Sequence, residues 1–110
     1  MSKQPEEYLK HIIGEMDYLL SETNDLEMGD FLKNETKMRA FARSLEIIGE
    51  AAKQVDQGYR DLHTDVDWKA MTGMRDRLIH HYFAVDYEIV WDVVTNEIPK
   101  LKTQIGDLLR

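Results

Sequence analysis

The sequence predicts an all-α fold, an antiparallel four-helix (to five-helix) bundle forming a single domain over residues 1–110. Apolar residues recur at three- and four-residue steps along nearly the whole chain, the period of a helix face. Only two prolines and six glycines interrupt it, and strand-like alternation is scarce. About 43% of the residues are hydrophobic, enough for a core that needs no staples. Short connections then place successive helices antiparallel.

The first helix is expected from Glu6 to about Leu20, with Leu9, Ile12, Ile13, Met16, Leu19 and Leu20 on its apolar face. Ser21 to Gly29 is polar and reads as a loop. The second helix is the longest. Asn34 or Thr36 can cap it, and Gly58 can end it. Met38, Phe41, Ala42, Leu45, Ile48, Gly49, Ala52 and Val55 form one stripe. Gly49 within that stripe costs about 1 kcal/mol of helix propensity, and close approach of a neighbouring helix is the usual compensation. Arg39, Arg43, Glu46 and Glu50 share another face, read as solvated charges paired along the helix.

Gly58 to Val66 is a connection. Asp67 can cap a third helical segment from Trp68 to about Tyr82, with a break or bend at Gly73. Ala84-Val85-Asp86 then turns the chain, and Asp86 suits the N-cap of a fourth helix. There Trp91, Val94, Ile98, Leu101, Ile105 and Leu108 make a bundle seam that also suits part of a dimer face. Pro99 is expected to kink or divide this helix.

The net charge of −7 argues against a general nucleic-acid coat, because Lys and Arg dominate phosphate binding. It leaves room for a small site with a local cation, or for a protein partner. Cysteine is absent, which excludes disulfides, thiolate metal sites and cysteine nucleophiles. The polar N-terminal stretch lacks an apolar signal core, and no apolar run approaches the roughly 20 residues of a membrane span. A soluble cytoplasmic protein, with no membrane and no DNA partner, is the expectation.

The densest chemistry lies in Arg75-Asp76-Arg77-Leu78-Ile79-His80-His81-Tyr82. On a continuous helix, at about 100° per residue, Arg75 and Tyr82 lie nearly on one line beside Ile79 and Phe83. Arg75 would then sit in a partly apolar stripe, where an unpaired guanidinium is costly. Asp76, four residues before His80, could orient that imidazole and raise its pKa. His80 would point about 140° away from Arg75, so either the helix ends near His80 or a second copy completes the site across a two-fold axis. RNA cleavage without a metal needs a base for the ribose 2′-hydroxyl, an acid for the departing 5′-oxygen and a cation for the phosphorane. Imidazole and guanidinium suit those tasks. A purely structural account also fits the spacing: Arg75 pairs with Glu46 or Glu50 in the core, and His80 caps a helix end. His81 is a second imidazole that could share proton transfer. His11 and His63 read as surface residues.

Two blocks make the sequence resemble the HepT-like branch of the HEPN superfamily. They are Arg43-Ser44-Leu45-Glu46-Ile47-Ile48-Gly49-Glu50-Ala51-Ala52-Lys53 and Trp68 to Asp86, continuing into Val90-Trp91-Asp92-Val93-Val94. The resemblance spans almost the whole chain, and the family signature Arg-x4-His-x-Tyr is intact from Arg75 to Tyr82. It implies a HEPN-like bundle that forms a homodimer with both Arg-His pairs at the interface. It implies a metal-independent endoribonuclease toxin with Arg75 and His80 as the catalytic pair and Asp76 in support. It also implies a cognate antitoxin, a minimal nucleotidyltransferase that moves AMP units from ATP onto Tyr82. A resident metal or cofactor is not expected. The alternative is a non-catalytic nucleotide- or substrate-binding subunit of a nucleotidyltransferase complex, with Arg75 holding a phosphate.

Overall fold

The computed structural model describes residues 4–80 and 84–110, and the backbone alone of His80. Helix α1 (Pro5–Thr23) opens with proline in its first turn, where the missing N–H costs nothing. It runs three residues beyond the expected end. The Thr23 hydroxyl donates to the carbonyls of Leu19 and Leu20. The stretch expected to be a loop then turns through Asp25 at φ 64° and forms a helical turn, α2 (Met28–Phe31). Tertiary packing decides this, since Phe31 is fully buried against Phe41 and Trp91, with ring centroids 4.9 and 5.3 Å away.

Helix α3 (Glu35–Gln54) starts at Asn34, whose side chain accepts from the Lys37 N–H at 3.0 Å. It packs antiparallel along α1. The Tyr18 ring meets Phe41, and Ser44 Oγ donates to Glu15 Oε1 at 2.7 Å. Ile48, Leu45, Phe41 and Ala52 are buried as their stripe requires. The opposite face carries charge pairs along the helix, Arg43 with Glu46 and Glu50 as expected, and Arg39 with Glu35, a partner the sequence reading did not name. Gly58 does not end this helix. It ends at Gln54, and Asp56 caps a short α4 (Gln57–Leu62) that contains Gly58.

Asp67 caps α5 (Trp68–Thr72), accepting from the Ala70 N–H at 3.0 Å. Gly73 divides α5 from α6 (Met74–Leu78), as the break expected there requires. Helix α6 ends at Leu78, short of Tyr82. Ile79 takes extended geometry and opens β1 (Ile79–His80), which pairs antiparallel with β2 (Ala84–Val85). Asp86 caps α7 (Tyr87–Asp92), accepting from the Glu88 and Ile89 N–H groups.

The last helix is divided as Pro99 demands. Proline cannot donate to Thr95, and the chain answers with a π-helical turn over Val93–Glu97 before α8 (Ile98–Leu108). The Ile98 N–H reaches back to the Val93 carbonyl, five residues away. The seam survives the extra residue, with Val94, Ile98, Leu101 and Ile105 buried and Trp91 and Leu108 packed at its edge. No helix among the described residues is long and apolar enough to cross a membrane.

Gly49 faces α5 and α6. A Cβ there would lie 3.0 Å from the Met71 carbonyl oxygen and 3.8 Å from Met74 Cβ. Gly49→Val should therefore lower stability by about 1–3 kcal/mol in urea denaturation. Gly14→Ala, whose Cβ meets open space, should gain up to about 1 kcal/mol. A valine variant as stable as wild type would show that α3 and α5 do not rely on the missing side chain.

Candidate active site

The candidate residues are held by a short helix and a sharp exit from it. Helix α6 buries Met74 and Leu78 and exposes Arg75, Asp76 and Arg77. At about 100° per residue, Met74 and Leu78 centre the buried face, and Arg75 and Arg77 lie roughly 80° to either side. At Leu78 the chain leaves helical geometry. The Leu78 carbonyl accepts from the Asp86 N–H at 2.8 Å, which ties the two ends of the intervening segment together. Ile79 opposes Val85, and His80 opposes Ala84.

The apolar stripe expected around Arg75 does not form. It needed a helix continuing through Ile79 to Tyr82, and the helix stops at Leu78. Arg75 is exposed, and among the described residues no ion pair or hydrogen bond engages its guanidinium. Glu46 and Glu50, the carboxylates proposed for a core pair with it, are held by Arg43. The four-residue step from Asp76 to His80 likewise loses its helical meaning, because His80 lies on β1. The early end of the helix meets the first of the two conditions set by the sequence for Arg75 and His80 to serve one site. The side chain of His80, together with His81, Tyr82 and Phe83, lies outside the described residues.

Two residues that sequence reasoning did not single out belong to this region. Arg77 forks onto Glu97, with Nη1 donating to Oε1 at 2.7 Å and Nη2 to Oε2 at 2.5 Å. The hydrogen bond to Glu97 is the main cause of a raised Arg77 pKa, with burial acting against it and the Glu97 charge adding to it. The partners stand 20 residues apart, so no local spacing could have linked them. His63 also differs from expectation. It is half-buried, stacks on Tyr59 with centroids 4.3 Å apart, and gives its carbonyl to the Trp68 indole N–H. His11 is exposed beside Glu15, as expected of a surface residue.

Beside β2 lies an open cleft of about 540 Å³, walled by Leu32, Met38, Val85 and Tyr87 and edged by the carboxylates of Asp86 and Glu88. Among the described residues no group of three His, Asp or Glu side chains converges on a metal-sized point. What the described part of the site offers is an unengaged cation on a fixed helix, close before an abrupt change of chain direction.

A family model described as Ribonuclease HepT-like matches residues 6–108. A protein from Caldanaerobacter subterraneus subsp. tengcongensis, named "Putative RNase", is 44% identical over 108 residues, covering 98% of this chain and 96% of its own. One from Thermococcus cleftensis, named "Probable ribonuclease HepT", is 37% identical over 108 residues and 98% of each chain. A "Putative RNase" from Methanocaldococcus jannaschii is 39% identical over 103 residues, 94% of this chain and 85% of its own. No solved structure matches.

Because Arg75 is exposed and, among the described residues, unengaged, Arg75→Ala should change unfolding free energy by no more than about 0.5 kcal/mol. Breaking a buried ion pair would instead cost about 3–5 kcal/mol. Denaturant melts of the two proteins separate these outcomes.

Proposed function

This chain belongs to the HepT-like ribonuclease family, and we propose that it is a metal-independent endoribonuclease, the toxin of a toxin–antitoxin pair. The observation that carries the reading is Arg75, a solvent-facing cation without a carboxylate partner among the described residues. It stands on a short fixed helix five positions before His80. An arginine left open in a chain of net charge −7 is suited to receive a phosphate.

The reaction assigns each group a step. The ribose 2′-oxygen attacks the adjacent phosphorus while an imidazole takes its proton. The P–O5′ bond breaks, and a second proton donor protonates the leaving oxygen. The products are a 2′,3′-cyclic phosphate and a 5′-hydroxyl. His80 is the proton-transfer group, because imidazole titrates near neutrality. Arg75 stabilises the charge that builds on the phosphorane. One His80 per chain supplies either base or acid at a given moment, so a homodimer with its two sites facing would supply both. Asp76, one residue beyond Arg75 and likewise exposed, has the supporting role.

The same reading gives Tyr82 a regulatory part. A cognate minimal nucleotidyltransferase would transfer AMP to its phenol. The phenolic oxygen attacks the α-phosphorus of ATP, and pyrophosphate leaves. Each AMP unit adds a negative phosphodiester and a nucleoside two residues from His80. Both oppose entry of RNA, one by charge and one by bulk. No resident metal or cofactor takes part.

The acidic net charge favours one other reading, a non-catalytic phosphate-binding subunit of a nucleotidyltransferase complex. RNA cleavage in chelator, with the intact mass checked for Tyr82 modification beforehand, separates the two. Unmodified wild type should cut, and His80→Ala should lose about 100-fold or more. AMP-modified protein should be silent. If unmodified, folded wild type leaves a broad panel of RNAs intact, the binding-subunit reading takes its place.

A further inference from the structure

We infer that Arg77 and Glu97 are positioning residues for Arg75, with Glu97 presented by the π-turn that precedes Pro99. The inference rests on the ribonuclease reading for its functional consequence. The clamp itself rests on the geometry.

A five-residue helix has almost no stability of its own. Helix α6 is anchored by Met74 and Leu78, both fully or almost fully buried, which stand one above the other on the same face. Two anchors on one line fix where the helix lies. They resist rolling about that line poorly, because packing on one stripe leaves both flanks open. Arg75 projects from one flank and Arg77 from the other, each roughly 80° from the anchored face. Any roll of α6 therefore swings both arginines together.

The fork from Arg77 to Glu97 opposes that roll. Its two parallel N–H to oxygen bonds, at 2.7 and 2.5 Å, fix an orientation as well as a distance. A roll of about 10° moves a side-chain tip about 6 Å from the helix axis by roughly 1 Å. A misplacement of that size at a reacting group can lower the rate by about 100-fold. Helix α6 also runs straight into β1, so a rolled helix would tilt the Leu78–Asp86 hydrogen bond and the strand pair that holds His80.

Glu97 owes its place to the π-turn. A π-turn accommodates one more residue per turn than an α-helix, so the chain beyond the added residue is rotated by roughly 100° relative to an unbroken helix. Glu97 is the last residue of that turn, and Asp92 and Asn96 brace its start through a 2.6 Å side-chain hydrogen bond. Partly exposed on both sides, the Arg77–Glu97 pair has little to offer the stability of the fold. Its geometry is the more informative feature, a bidentate contact joining α6, which carries Arg75, to the π-turn.

The test uses Glu97→Gln, which loosens the fork while leaving Arg77 in place and removing a negative charge. With unmodified full-length dimer, cleavage at saturating RNA should fall by about 10- to 100-fold with KM unchanged or lower and with the melting temperature unmoved. Lower KM is allowed because the freed Arg77 adds a cation to the surface. The reversed pair, Arg77→Glu with Glu97→Arg, should recover most of the lost rate. A rate for Glu97→Gln within twofold of wild type overturns the inference. So does a loss that tracks the melting temperature, or one that lies in KM alone. Amide hydrogen exchange reads the clamp without activity. The variant should exchange faster at Arg77 and at Asp86, whose N–H groups bond to Gly73 and Leu78, with the buried amides of α3 unchanged. If wild type does not cut RNA but exchange accelerates as stated, the ribonuclease reading fails and the clamp stands. If exchange does not change, the clamp fails whatever the activity.

Discussion

Helix α6 is too short to exist alone, and the candidate site depends on what pins it. Fewer than two turns of helix gain little from backbone hydrogen bonds against the entropy of ordering them. Burial of Met74 and Leu78 supplies the difference, and Gly49 makes that burial possible by letting α3 approach to the backbone of α5. The same brevity exposes Arg75. A longer amphipathic helix continuing through Ile79 would have carried the arginine beside an apolar stripe. The chain instead leaves the helix at a β-branched residue, pairs Ile79 with Val85, and returns through the Asp86 to Leu78 hydrogen bond.

The electrostatics of the chain serve selection more than stability. The chain has 21 acidic and 14 basic residues, and among the described residues some of the cations find a carboxylate within reach. Arg39, Arg43, Arg77 and Lys102 do so, through Glu35, Glu46, Glu50, Glu97 and Asp17. Exposed pairs of this kind contribute little to folding free energy. What they achieve is to decide which cations are occupied. Arg43, on the same helix face as Glu46 and Glu50, engages the two carboxylates that the sequence offered as partners for Arg75. Arg77, two residues away, is turned to the other flank of α6 and held there. Among the described residues, Arg75 of the signature is left open to an anion.

The range of each interaction decides how much of the molecule was legible. The long helices were, because their apolar stripes repeat many times and each repeat adds to the pattern. The caps at Asn34, Asp67 and Asp86 were, because a capping side chain acts within three residues of itself. The break at Gly73 and the division at Pro99 were, because both come from a local loss of helical preference. The turn at Met28–Phe31 was not, since it forms only when Phe31 stacks between rings of α3 and α7. The end of α6 was not, since its residues favour a helix on local grounds and strand pairing across the intervening segment decides otherwise.

The sequence by itself determined an all-α chain with its main helices, its caps and its chemically charged segment from Arg75 to Tyr82. Those properties arise from neighbours along the chain, whose spacing the helix converts directly into faces. Only the tertiary structure decided that Arg75 faces solvent, that Arg43 and not Arg75 takes the α3 carboxylates, and that Arg77 is forked onto Glu97. Each of these is a choice among partners brought together by packing. Which carboxylate a guanidinium meets depends on how the helices pack and on one π-turn, and neither is written in the spacing of the residues that meet.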